Sequence, residues 1–120
     1  MLQVLLIDDS PAQLQMRATV LRQSGVDVIL AQSALEALGL LHSDIAGKIN
    51  VIVTDHVLPG DSGAVFVRQV REIGARIPVI VITGLAEAEE EYAGLNVIFL
   101  HKPCPPEELI LQVERAARMI

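Results

Sequence analysis

The amino-acid sequence predicts a doubly wound α/β domain. Three observations carry the expectation: short apolar blocks recur along the chain, a helix-like segment follows each one, and the apolar runs are continuous rather than alternating in polarity. The blocks are Gln3–Ile7, Val26–Ala31, Val51–Thr54, Val79–Thr83 and Val97–Leu100, all rich in Val, Ile and Leu and of strand length. Continuous apolarity suits strands covered on both faces, as in a parallel sheet with helices above and below. It also accounts for a hydrophobic content of 52%. Each block is closed by Asp, Thr, Gly or Pro long before it could cross a bilayer, so no membrane span is expected.

The first intervening segment, Pro11–Ser24, opens with Ser10 as an N-cap and Pro11 at the first helical position, where a missing N–H costs nothing. Ser33–Ser43, Gly63–Ile73 and Pro105–Met119 have helical spacing as well. Gly25, Gly74 and Gly94 stand where helices should stop. The fourth segment, Leu85–Tyr92, is acidic with little apolar face, and is expected to be a short or frayed helix. Five β-α units in a row, joined by right-handed crossovers, make a doubly wound sheet the simplest topology.

A chain of 120 residues has the size of one domain, taken as residues 1–120. A net charge of -6 argues against direct nucleic-acid binding, which depends on clustered Lys and Arg. The single cysteine, Cys104, forms neither an intramolecular disulfide nor a Cys-rich metal site, and its simplest role is that of a small buried hydrophobe. The first apolar block runs straight into two aspartates, unlike a secretory signal, so the expected location is cytoplasmic.

Asp8 and Asp9 end the first strand and Asp55 ends the third. In an open sheet of order 2-1-3-4-5 the ligand crevice lies at the carboxyl ends of strands one and three, so these carboxylates should converge there. Such a cluster repels itself unless a hard dication neutralises it, and Mg²⁺ is the natural occupant. Helix and turn capping is the plainer role for the same aspartates. Thr83 ends strand four and Lys102 ends strand five, adding a hydroxyl and an ammonium to the same edge. Singly, Thr83 is an ordinary strand residue and Lys102 an ordinary surface charge. Together with the carboxylates they outline a phosphate site with a carboxylate nucleophile.

Four motifs now carry a resemblance: Val4-Leu5-Leu6-Ile7-Asp8-Asp9-Ser10-Pro11, Val51-Ile52-Val53-Thr54-Asp55-His56-Val57-Leu58-Pro59-Gly60-Asp61-Ser62-Gly63, Val79-Ile80-Val81-Ile82-Thr83-Gly84 and Phe99-Leu100-His101-Lys102-Pro103. In this order and spacing, the chain resembles the receiver domain of two-component response regulators over nearly its whole length. The resemblance implies a flavodoxin-like (βα)5 fold with a five-stranded parallel sheet in the order 2-1-3-4-5. It implies Asp55 as the phosphoacceptor and a Mg²⁺ site formed by Asp9 directly, Asp8 mainly through water, Asp55, and the backbone carbonyl of Val57. Lys102 is implied to hold phosphoryl oxygens, with a cis peptide between Lys102 and Pro103. Thr83 is implied to turn its hydroxyl toward the phosphoryl group, and Phe99 to be the aromatic whose rotamer follows it.

The function so implied is a signalling switch rather than a turnover enzyme. A histidine kinase or histidine phosphotransfer protein donates the phosphoryl group, affinity for an output partner changes, and weak autodephosphorylation resets the state. The sequence names neither that partner nor the oligomeric state, for which a homodimer is one option. Several features depart from the family pattern. Leu85 is apolar where a polar residue could guide an attacking water, the stretch between Thr83 and Lys102 is short, and Cys104 replaces a frequent aromatic. The stretch Gly94-Leu95-Asn96-Val97-Ile98-Phe99-Leu100-His101-Lys102-Pro103 resembles receivers attached to hybrid histidine kinases more than those fused to transcription factors. His42, His56 and His101 lack metal-ligand spacing and are taken as structural or surface residues.

Three other readings fit less well. A haloacid-dehalogenase-type phosphatase needs a second acid two residues after its nucleophile, where this chain has Val57. A flavodoxin-like cofactor carrier needs a phosphate-binding first loop, where this chain has two aspartates. A receiver-shaped interaction domain that is never phosphorylated has no need of all five site residues.

Overall fold

The apolar blocks assemble into five parallel strands in the computed structural model, which describes residues 2–60 and 62–118. The strands are β1 (Gln3–Ile7), β2 (Asp27–Ala31), β3 (Val51–Asp55), β4 (Val79–Thr83) and β5 (Val97–His101), in the spatial order β2-β1-β3-β4-β5. Register runs from Val4 opposite Val51 and Ile52 opposite Val79 to Thr83 opposite His101. This is the order expected from the sequence. The direction of winding reverses between β1 and β3, so their carboxyl ends border the crevice.

Among the described residues, four α-helices cover the sheet: α1 (Pro11–Gln23), α2 (Ala34–Leu41), α3 (Gly63–Glu72) and α4 (Pro106–Ala117). Side chains alternate along each strand and divide the core into two layers. Leu5, Ile7, Ile52 and Val81 pack with Ala37, Leu41, Phe66 and Val67 from α2 and α3. Val4, Leu6, Val53, Ile80 and Ile82 pack with Leu14, Ala18, Leu21, Leu109 and Val113 from α1 and α4. Every residue of β3 and β4 is buried, which is why these strands read as unbroken apolar runs.

Three helix starts are set by serines whose side chains accept backbone N–H groups: Ser10 from Gln13, Ser33 from Glu36 and Ser62 from Val65. Gly25 and Gly74 take φ of +92° and +85° just beyond α1 and α3. The expected helix over Ser33–Ser43 is shorter, with Ser33 as its cap, and a 3-10 turn at Asp44–Lys48 follows it. The expected last helix begins one residue later than Pro105, and its Met119 end lies outside the described residues.

The fourth crossover differs in kind. Ala86–Tyr92 winds as 3-10 turns rather than as an α-helix. Four of its seven residues are glutamates, no side chain caps its start, and only Ala88 and Tyr92 are buried. Like charges at neighbouring positions oppose a longer helix, and two buried side chains give little packing to offset them.

Candidate functional site

The site gathers at the carboxyl ends of β1, β3 and β5. Parallel pairing of β1 with β3 sets Ile7 opposite Thr54, so Asp8 and Asp55 emerge side by side, with Asp9 beyond. One oxygen from each of Asp8, Asp9 and Asp55 lies within 4.8 Å of the others, while Asp8 and Asp55 are buried and Asp9 is exposed. Three carboxylates this close offer a hard, oxygen-only donor set that suits a small dication and no soft metal.

Each buried carboxylate already has partners. Asp8 Oδ1 accepts the Ser10 amide at 2.9 Å, and Oδ2 accepts Nη1 of Arg17 at 2.5 Å. Burial pushes the Asp8 carboxyl above its ordinary value. The Ser10 amide and Arg17 oppose that rise, while the charges of Asp55 and Asp9 add to it. Asp55 Oδ1 accepts the His56 amide at 3.0 Å and lies 3.1 Å from Lys102 Nζ. Among the described residues, no protein donor binds Asp55 Oδ2.

Lys102 reaches Asp55 from the loop after β5, where the Lys102–Pro103 peptide is cis. Val57 follows β3 as an exposed residue paired in an isolated bridge with Ser62. Thr83 is buried at the end of β4, and its hydroxyl is bonded to the loop that follows. Its Oγ1 accepts the Leu85 amide at 3.0 Å and donates to the Leu85 carbonyl at 3.3 Å. Phe99 is half-buried, with its ring edge-on to Tyr92 at 5.3 Å between centroids.

Sequence reasoning missed two residues. Arg17 is buried on the inner face of α1, in line with Leu14, Ala18 and Leu21. A basic residue in an apolar stripe is the signal that could have found it, since a buried guanidinium needs a carboxylate within reach. Tyr92 is also buried, with its hydroxyl 2.7 Å from Nδ1 of His56. His56 Nε2 in turn lies 3.4 Å from Glu91, so His56 is a buried structural residue, whereas the exposed His101 pairs with Glu89 at 2.9 Å. Gly63 must be glycine here, because a Cβ would come within 2.6 Å of the Tyr92 hydroxyl and 2.9 Å of the Asp55 carbonyl.

Beside the site a groove of about 320 Å³ runs between α1 and α4, bordered by Met16, Arg17, Val20, Lys102, Pro103 and Leu109. Cys104 also lines it, half-buried, and burial pushes its thiol above the ordinary value.

Comparison with known proteins is consistent across sequence and structure. The family model described as the response regulator receiver domain matches residues 4–114. The response regulator MprA of Mycolicibacterium vanbaalenii is 32% identical over 118 residues, covering 96% of this chain and 50% of that protein. The hydrogenase transcriptional regulatory protein HoxA of Bradyrhizobium diazoefficiens is 29% identical, covering 97% of this chain and 24% of that protein. The chain thus spans a quarter to a half of these relatives. Among solved structures, a receiver domain protein from Clostridium thermocellum superposes with a TM-score of 0.91 at 26% identity, covering 99% of this chain and 96% of the other. The chemotaxis protein CheY4 of Vibrio cholerae superposes with a TM-score of 0.86 at 29% identity, covering 97% and 98%.

Proposed function

Because the chain belongs to the response regulator receiver domain family, we propose that it is a phosphoacceptor switch in which Asp55 takes a phosphoryl group from a phosphohistidine. The observation that carries this reading is the surroundings of Asp55. It is buried beside two further carboxylates, with Lys102 Nζ at 3.1 Å from one oxygen and the other oxygen free of protein donors among the described residues. In the transfer, Asp55 Oδ2 bonds to phosphorus as the histidine N–P bond breaks, and the electron pair leaves with the imidazole.

Lys102 holds a phosphoryl oxygen and offsets the charge that gathers on the transferring group. Asp8, Asp9, Asp55 and the Val57 carbonyl are the residues to hold Mg²⁺. Bound there, the ion supplies Lewis-acid neutralisation of phosphoryl oxygens. The His56 amide, already on Asp55 Oδ1, fixes the orientation of the carboxylate.

The readout is a hydroxyl that changes partner. Thr83 gives up Leu85 for the new phosphoryl oxygens, the loop after β4 moves with it, and Phe99 follows into the space vacated. The output is altered affinity for a partner protein, with dimerisation of this chain as one form of it. The donor is a histidine kinase or a histidine phosphotransfer protein, and the acidic charge disfavours direct nucleic-acid binding. The location in keeping with this role is cytoplasmic, and among the described residues no helix is long and apolar enough to cross a membrane. Leu85, apolar and exposed beside the site, offers an attacking water no polar group, in keeping with slow self-dephosphorylation.

The test is intact mass after incubation with acetyl phosphate and Mg²⁺. A gain of one phosphoryl mass that needs both Mg²⁺ and Asp55, and is lost in Asp55→Ala, is the expected result. No gain with acetyl phosphate or with a phosphohistidine donor overturns the reading in favour of an interaction domain that is never phosphorylated.

A further inference from the structure

We propose that Arg17 is a resident counter-cation of the carboxylate cluster, a positioning residue that competes with the divalent ion through Asp8 and so sets how tightly the site takes metal. The inference rests on the metal-binding part of the function proposed above.

Asp8, Asp9 and Asp55 bring three negative charges to one crevice, and Lys102 and Arg17 bring two positive ones, leaving a net charge of about -1. A site so nearly neutral draws a dication far less strongly than one carrying -2. Lys102 is partly exposed on a flexible stem and swings aside at little cost. Arg17 does not. Its side chain is 10% exposed, and it donates to a carboxylate that is itself 1% exposed.

Geometry points the same way. Both oxygens of Asp8 are engaged, Oδ1 by the Ser10 amide and Oδ2 by Arg17. An ion that draws on Asp8, directly or through water, either shares Oδ1 with the Ser10 amide, on a carboxylate whose charge Arg17 already offsets, or meets the guanidinium at Oδ2 and shares that oxygen or displaces it. A displaced guanidinium has somewhere to go, because Arg17 also borders the groove beside Met16, Val20 and Pro103. Without Arg17, Asp8 is a buried carboxylate with no cationic partner from α1, and its desolvation is relieved best by metal. The apo protein should therefore lose stability while the metal-bound form gains affinity.

The experiment measures Mn²⁺ binding to the full chain by loss of the free-ion electron paramagnetic resonance signal, with Mg²⁺ as competitor, in wild type, Arg17→Gln, Arg17→Met and Arg17→Lys. Circular dichroism establishes that each variant is folded. Arg17→Gln keeps a hydrogen-bond donor and Arg17→Met keeps apolar bulk, so a change common to both reports the charge.

Each is expected to bind about tenfold tighter than wild type, a typical size for two sites coupled through one group. Arg17→Lys, which keeps the charge, should stay within about threefold of wild type. The rise in melting temperature on adding Mg²⁺ should be larger in Arg17→Gln than in wild type. Equal affinities in wild type and Arg17→Gln overturn the proposal and leave the metal site standing. A gain in Arg17→Lys as large as in Arg17→Gln overturns it in favour of a packing effect. Absence of binding in every protein overturns both this proposal and the metal-dependent reading beneath it.

Discussion

The Tyr92 hydroxyl lies 2.7 Å from Nδ1 of His56, the residue that directly follows Asp55 in the chain. Through this bond a segment distant in sequence is tied to the end of β3, since the His56 amide itself donates to Asp55.

Tyr92→Phe should test the strength of that tie. The ring and its edge-on contact with Phe99 stay, while His56 Nδ1 loses its partner in a buried place. Stability measured by urea denaturation should fall by about 1 to 2 kcal/mol with an unchanged slope.

Alkaline pH should act through the same hydroxyl. Burial pushes the Tyr92 phenol well above its ordinary value of 10.0, and the charges of Glu91 and Asp55 add to the rise. A pKa raised by folding contributes stability that is whole below the unfolded value and is lost as pH climbs toward the folded one. The expected outcome is falling stability above about pH 10, with phenolate absorbance appearing together with unfolding. Because the chain has one tyrosine and no tryptophan, that absorbance is unambiguous. Phenolate appearing in the fully folded protein near pH 10 would contradict the burial argument.

Gly63→Ala should be costly although its φ is unremarkable. The added methyl meets the Tyr92 hydroxyl at 2.6 Å and the Asp55 carbonyl at 2.9 Å, and the second of these is backbone that cannot yield cheaply. A loss of about 2 kcal/mol or more in thermal or urea denaturation is expected. Combined with Tyr92→Phe, which removes the nearer contact, the loss should be smaller than the two single effects added.

Lys102→Met should separate chemistry from folding. The side chain is 35% exposed and packs little, so stability should change by well under about 1 kcal/mol. The initial rate of phosphorylation by acetyl phosphate should drop by about a hundredfold, the usual scale for removing one charge-stabilising donor. An undiminished rate would remove Lys102 from the proposed mechanism.

Much of this arrangement was legible in the sequence because its signals are local. The strands announced themselves by continuous apolarity, and the aspartates, Thr83 and Lys102 by standing where those runs end. Arg17 and Tyr92 were hidden for the opposite reason. The partner of Arg17 is set by the α1 stripe closing over β1, and a hydropathy pattern assigns an arginine to the surface. Tyr92 follows three glutamates in succession, and its burial depends on a crossover winding as 3-10 turns and bringing its ring over Phe99. The present partner of the Thr83 hydroxyl, Leu85, was not foreseen. No sequence pattern records a rotamer chosen by a loop.

That crossover also has a consequence for local opening. Ala86–Tyr92 has just two buried side chains, and its four glutamates are exposed, with Glu89 against His101 and Glu91 against His56. Amide protons there should exchange with solvent through openings far smaller in free energy than global unfolding, while those of β3 and β4 should exchange only when the whole domain unfolds. Under the proposed function, a signal arriving at Asp55 meets, across His56 and its bond to Tyr92, a lightly anchored part of the molecule.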